Sequence, residues 1–339
     1  MHPALGSSAL ALALVLAACG GGQASGSGAD APSGGTSSAG DGADSGASTA
    51  NAPTDIGSGS DAELAGIEGK TETFADAKSV DALKQKLGKA SLDGVARLDL
   101  SGRSFGPTLG KVLGGSKALK GLAALDVSDN NLGAEGVRAL AKSAELGNLR
   151  QLEVAGNEMG DAGASALSSG AAWKGLKVLN LGGNSIGESG AKALAGSALL
   201  DSVVSLDLSM NPIGADGAQA LASSSHLGEL RSLFLLGSEI GPEGAAALAS
   251  SNGFRSLAVL ALSGNGIGDA GAQALAGTTS LGSLKTLDLS ANGIGDSGAR
   301  ALAGSGHLGS IRSIEMFGNE FGAAGRDALK KRFGAALKL

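Results

Sequence analysis

Apolar residues in this chain fall on a grid. Val95, Leu122, Leu149, Leu176, Val203, Leu230, Leu257, Leu284 and Ile311 are spaced 27 residues apart, with no insertion or deletion between copies. The copy from Leu284 to Leu302 reads L-K-T-L-D-L-S-A-N-G-I-G-D-S-G-A-R-A-L and nearly overlays its neighbours. A fixed period of roughly 20 to 50 residues marks a solenoid, because one such unit cannot bury its apolar face alone and stacking builds a continuous core. Within a unit, two shorter periodicities follow one another. Leu287, Asp288 and Leu289 alternate, which predicts a short strand with one buried face. N-G-I-G or a variant is turn chemistry. G-A-x-A-L-A then returns at helical spacing. Strand, turn and helix in every unit predict an α/β class, with parallel strands on one face and helices on the other.

The full unit, L-x-x-L-x-x-L-x-L-x-x-N-x-I-G-x-x-G-A-x-A-L-A, runs over residues 92–334 and resembles the leucine-rich repeat family in its ribonuclease-inhibitor-like class. That resemblance implies a curved horseshoe or arc of about nine units, residues 92–339, with a concave sheet, convex helices and a C-terminal cap. It also implies an asparagine ladder of Asn130, Asn157, Asn184, Asn211, Asn265, Asn292 and Asn319, whose amides satisfy turn backbone that would otherwise be buried unpaired. Arg103 and Ser238 occupy that position in the first and sixth units, which predicts a loosened turn in one and a weaker hydrogen bond in the other. A glycine recurs where each helix begins to pack, as at Gly190 and Gly244, and is expected to admit the neighbouring helix closely. Trp173 and Phe254 fall at the leading apolar position shared by Leu146 and Leu227, so both are expected in the core.

Ahead of the array, residues 4–18 form an apolar run too short to span a bilayer as a mature helix and placed like the h-region of a signal peptide. The run ends in Leu16-Ala17-Ala18-Cys19, which resembles the lipobox of bacterial lipoprotein precursors, although the n-region has no Lys or Arg. The resemblance implies a signal peptide over 1–18, lipidation of Cys19, and a lipid-anchored protein of the bacterial cell envelope. Several acyl chains anchor stably where one would not. By the same resemblance, Gly20 rather than Asp after the cysteine implies sorting to the outer membrane if there are two. Residues 19–60 are Gly, Ser, Ala and Asp without hydrophobic periodicity, which predicts a disordered tether. In residues 61–91, Val80, Leu83 and Leu87 recover helical spacing behind Asp76 and Ser79 as N-cap candidates, the expected N-terminal cap of an open solenoid.

Composition narrows the chemistry. Aromatics are 2% of the chain while hydrophobic residues are 42%, so the core is built from small aliphatics. A net charge of −6 gives no global field for nucleic acid. Cys19 is the one cysteine, and His2, His226 and His307 do not cluster, so no metal site is expected. Gly266-Ile267-Gly268-Asp269-Ala270-Gly271 satisfies a dinucleotide fingerprint on paper, but it is the repeat consensus and its Ile is a core position. The turn acids are read as solvated, not as calcium ligands. No catalytic constellation recurs or stands apart. The expectation is a non-enzyme with no cofactor and no nucleotide.

The outward strand positions remain. Between the two core leucines of each unit stand Asp99, Asp126, Glu153, Asn180, Asp207, Phe234, Ala261, Asp288 and Glu315. Two residues further, Ser128 and Ser209 give way to Leu236, and later to Phe317. The acidic stripe breaks at Phe234, Leu236, Val259 and Ala261, with Met210 beside them and Asp207 and Asp288 at the edge. In a chain so poor in aromatics this apolar break is the expected binding centre, with Asp126 and Glu153 in the acidic half. Function is therefore expected to be recognition of an unidentified protein or peptide through the concave face, with the membrane met through lipidated Cys19 only. The alternative is an envelope scaffold or adhesin binding polysaccharide.

Overall fold

The computed structural model describes residues 67–89, 92–170 and 173–339. The chain divides into two units, Met1–Ser58 and Gly59–Leu339, and all described residues belong to the second. The expected signal peptide, Cys19, the tether and the first residues of the cap lie outside the described residues.

Strands and helices alternate along the whole unit. The strands are β1 (Lys70–Glu72), β2 (Val95–Asp99), β3 (Ala124–Asp126), β4 (Gln151–Glu153), β5 (Val178–Asn180), β6 (Ser205–Asp207), β7 (Ser232–Phe234), β8 (Val259–Ala261), β9 (Thr286–Asp288), β10 (Ser313–Glu315) and β11 (Leu337–Lys338). The helices are α1 (Val80–Leu87), α2 (Thr108–Gly114), α3 (Gly133–Ala141), α4 (Gly160–Ser168), α5 (Glu188–Ala195), α6 (Gly214–Ala222), α7 (Gly241–Ala249), α8 (Gly268–Ala276), α9 (Asp296–Gly304) and α10 (Ala323–Phe333). All strands join one parallel sheet in sequence order. From β2 onward the register repeats without slip, so that Leu98, Leu125, Leu152, Leu179 and Leu206 are direct partners in turn. Packed helices need about 8–10 Å each and paired strands about 4.8 Å, so the sheet takes the inner side of the curve.

The grid of leucines is the core. Leu122, Leu149, Leu176, Leu230 and Leu257 are at most 2% exposed, and Trp173 and Phe254 fill the leading position at 1%. Each fully buried leucine contributes roughly 1.5–3 kcal/mol by leaving water. At Gly244 an added Cβ would lie 2.7 Å from Ile240 Cβ and 3.1 Å from Ala218 Cβ. The glycine therefore makes room both for the core Ile of its own turn and for helix α6 behind it.

The ladder asparagines work as pairs of hands between units. Asn184 Nδ2 donates to the carbonyls of Val154 and Leu181, both at 2.9 Å, while Asn184 Oδ1 accepts from Asn157 N at 2.9 Å. Ser238 is too short for the same reach. Its hydroxyl lies 3.3 Å from Leu208 O and 3.4 Å from Leu236 O, and Ile213 N turns instead to Asn211 O at 2.7 Å.

The first unit's turn has long bonds, Ser104 N to Asp129 O at 3.4 Å and Phe105 N to Asn130 Oδ1 at 3.3 Å, while Arg103 turns to the cap. Its guanidinium donates to the carbonyls of Thr73 (2.6 Å), Phe74 (3.1 Å) and Ala77 (3.2 Å) and lies 5.7 Å from the Phe105 ring centroid. A long, five-donor side chain reaches three carbonyls of the cap, farther than the short asparagine amide extends from its turn. The cap itself holds more than a helix. Ser79 caps α1, accepting from Ala82 N at 3.2 Å, and Leu83 and Leu87 are buried. Asp76 pairs with Lys86 instead of capping. Ahead of the helix, β1 adds an edge strand beside β2, and at the far end β11 adds another beside β10.

The turn acids are not simply solvated. Asp161 Oδ1 accepts from Gly187 N (2.7 Å) and Gly190 N (2.9 Å), so it caps the helix of the following unit. Asp269 and Asp296 do the same for Gly295 and Gly298, and for Gly322 and Gly325. Wherever this aspartate is present, the next unit's turn glycine is extended and serves as N-cap: Gly187, Gly295 and Gly322 have φ of −92°, −92° and −83°. Where Pro107, Ala134, Glu188, Ala215 or Pro242 stands there instead, the following Gly133, Gly160, Gly214, Gly241 or Gly268 is left-handed, with φ of 56–65°. One side chain thus selects between two turn geometries in its neighbour.

Candidate functional site

The outward faces of β2–β10 form one surface, and register decides which side chains meet. Asp207, Phe234, Ala261 and Asp288 stand side by side as direct partners across β6–β9. The acids of this column have a structural task. Asp99, Asp126, Asp207 and Asp288 each accept, through Oδ1, the backbone N–H two residues on, at 3.0, 2.9, 2.8 and 2.9 Å, and Asn180 does so for Gly182 at 2.9 Å. These local turns end each strand and turn the chain toward the ladder.

Stacking carboxylates at strand spacing buries them beside one another. Burial pushes the Asp126 carboxyl up to about 6, partly offset by hydrogen bonds from Ser128, with Glu153 and Asp99 adding repulsion. Burial raises Glu153, with Asp207 adding to it, and burial is the main cause of the rise at Asp207 and at Asp288. The acidic half is therefore a row of partly desolvated carboxylates held by backbone donors.

The apolar break has low relief. Phe234, Leu236, Met210 and Val259 are half-buried, as is Asp207 at their edge. Ala261 is 0% exposed and Asp288 only 4%. Ala261, expected among the contact residues, is sealed beneath Phe234 and Asp288 because its methyl is the shortest side chain in the column. It supports the patch and has no surface to offer. Phe317 on the loop after β10 is the one exposed large hydrophobic among the described residues, at 43%. It continues the Leu236 column through Ser263 and Ser290, three strand spacings or about 14 Å away.

Met210 carries a second distinction. Its position is left-handed in successive units, and Gly102, Gly156, Gly183, Gly237, Gly264 and Gly318 occupy it. Met210 has φ of 59°, with Asp129 and Ala291 the other side chains there. The methionine also sits in the turn where Ser238 weakens the ladder, its N–H donating to Leu236 O at 2.6 Å.

Chemistry elsewhere is sparse. No grouping of His, Cys, Asp and Glu suited to a metal ion occurs among the described residues. His226 Nδ1 lies 2.7 Å from Asp201 Oδ1. Two open depressions lie off the sheet face, one beside Phe74 and Lys89, the other between Arg255 and Ser280.

A family model described as "Leucine Rich repeat" matches residues 122–141, 148–168, 176–195, 202–222, 255–276 and 283–303. No curated protein matches the sequence. Among solved structures, the chain is similar to the leucine-rich-repeat ectodomain of the plant membrane receptor kinase GASSHO1/SCHENGEN3 from Arabidopsis thaliana, in complex with CASPARIAN STRIP INTEGRITY FACTOR 2. The identity is 21%, coverage 70% of this chain and 28% of that one, and TM-score 0.38. It is also similar to TLR13 in its complex with ssRNA13, at 18% identity, 77% and 33% coverage and TM-score 0.44. Yeast Rad7, crystallised with Elc1, gives 15% identity, 74% and 76% coverage and TM-score 0.35. The chain spans about a third or less of the length of the first two. With its 27-residue units, single parallel sheet, asparagine ladder and matching repeats, the chain is a leucine-rich repeat protein.

Proposed function

We propose that this protein is a lipid-anchored recognition module of the bacterial cell envelope, tethered through Cys19, that binds a protein or peptide on the concave sheet face. Phe234, Leu236, Met210 and Val259 form the contact centre. Asp207 borders it, and Asp126 and Glu153 extend it into the acidic half. Phe317 adds a second apolar contact further along. The reading belongs with a binding scaffold rather than an enzyme.

The observation that carries it is Met210. A side chain in the left-handed region costs about 1 kcal/mol relative to glycine, and this chain places glycine at the same point in six other units. Methionine there gives up stability and gains an adaptable apolar surface beside Phe234 and Leu236. Strain of this kind gathers where a surface is used.

That argument gives an unusual test. Met210→Gly is expected to raise the unfolding midpoint while weakening partner capture from envelope and medium fractions. The double variant Phe234→Asp, Leu236→Asp is expected to abolish capture with the fold retained by circular dichroism. Capture unchanged in both variants would move the site off this patch. A polysaccharide retained in place of any protein would favour the scaffold or adhesin reading.

A further inference from the structure

A parallel sheet gathers all loops that enter strands on one rim and all loops that leave them on the other. Charge divides along the same line. The leaving rim holds the acidic strand ends and the first helical turns, with Glu135, Asp161, Glu188, Asp216, Glu243 and Asp269 among them. On the entering rim, lysines and arginines outnumber acids more than twofold among the described residues, and the acids are Glu68, Asp93, Glu145, Asp201 and Glu229. Exposed Lys120, Arg150, Lys174, Arg255, Lys285 and Arg312 represent this row. From Arg150 beside β4 to Arg312 beside β10 it runs six strand spacings, about 29 Å. A net charge of −6 conceals this polarity.

Helix dipoles do not account for the row. They favour cations within the last turn of a helix, whereas Arg150, Lys285 and Arg312 lie a full loop beyond α3, α8 and α9, directly before their strands. The path of the chain gives the row a direction. Residue 67, the first described, immediately precedes β1, and β1 is parallel to β2, so the N-terminal part of the chain joins the solenoid on this same basic rim.

We infer that the strand-entry rim docks electrostatically on an anionic lipid surface, orienting the solenoid with its acidic rim away from the membrane. The contact is peripheral, since no helix among the described residues is long and apolar enough to cross a bilayer. It is a second membrane contact, added to the one expected at Cys19. It does not depend on acylation, so its test separates it from the proposed anchoring. Each basic residue held near an anionic leaflet contributes roughly fivefold in affinity.

The probe is Gly59–Leu339, the compact unit whose core is closed by β1 with α1 at one end and α10 with β11 at the other, in co-sedimentation with equimolar phosphatidylglycerol–phosphatidylcholine vesicles. Binding is expected at low ionic strength, absent with pure phosphatidylcholine, and lost near 0.5 M salt, where the Debye length is about 4 Å. The triple variant Arg150→Glu, Lys285→Glu, Arg312→Glu is expected to lose at least about a hundredfold in affinity. Reversal of Lys111, Arg138 and Arg300 on the helix face, as a folded control of equal charge change, is expected to lose far less. No binding to anionic vesicles, or equal loss in both variants, would overturn the inference. Tighter binding to a DNA duplex than to the vesicles would also overturn it, in favour of a nucleic-acid surface.

Discussion

At the scale of single residues, much of this solenoid is decided by side chains acting one unit away. Asp161 is half the story of Gly187: its carboxylate takes the N–H groups of Gly187 and Gly190, and Gly187 stays extended. Gly214, behind Glu188, is left-handed at φ 65°. Glu188 pairs with Lys192 instead of reaching forward. Gly187→Ala should therefore change stability by a few tenths of a kcal/mol, because an alanine Cβ would meet the Asp161 carboxylate no closer than 3.4 Å. Gly214→Ala should cost about 1–2 kcal/mol for the left-handed backbone. Asp161→Ala removes a cap worth about 1 kcal/mol and should let Gly187 revert to the left-handed turn. In that background Gly187→Ala should become costly. A double-mutant cycle on urea midpoints measures the coupling, and additive effects would show that the aspartate does not set the turn.

At the scale of elements, the strands, turns and helices of the nine units were legible because burial repeats at fixed spacing. β1 and β11 were not. Lys70, Thr71 and Glu72 carry no alternation and pair through backbone alone. The cross-unit caps were also hidden, because an aspartate in a G-D-A-G turn reads as a local solvated acid until the next unit is placed above it. The patch was legible as a break in a column, but its relief was not. Ala261 disappears between larger partners, and Phe317 stands out only once packing is known. The acid column supplies an element-scale prediction. A carboxyl raised in the folded state binds protons more tightly there than in the unfolded chain, so stability falls as pH rises through the interval between the two values. For Asp126 that interval runs from 3.8 to about 6, and Glu153, Asp207 and Asp288 shift in the same direction. Denaturant midpoints should accordingly rise on going from pH 7 to pH 5. Asp126→Asn, which keeps the acceptor for Ser128 N, should be more stable than wild type at pH 7 and lose that advantage toward pH 4. A midpoint that falls steadily over the same range would contradict the buried-column reading.

At the scale of the whole molecule, the solenoid is a one-dimensional stack whose stability sums over units and their interfaces. Every strand pairs only with its neighbours in sequence, from β1 through to β11. The end of such a stack is its weak point, because Leu98, Leu100 and Leu109 would face water without a cover. β1 and α1 provide that cover, and Arg103 fastens it through three carbonyls of the connecting turn. Arg103 also stands where the array lacks its asparagine, so the first unit relies on the cap as much as the cap relies on it. Deleting residues 1–91 should therefore open β2 and α2 first and leave the central units folded. Arg103→Ala should produce a milder version, a loss of roughly 1.5–3 kcal/mol in the cap and first unit, as for hydrogen bonds from a charged donor. Amide exchange resolves the question unit by unit. Protection should drop at Leu98 and Leu109 and persist at Leu206 and Leu233. Uniform loss along the array would mean that the stack folds as one cooperative block, and that the cap stabilises the whole rather than its own end.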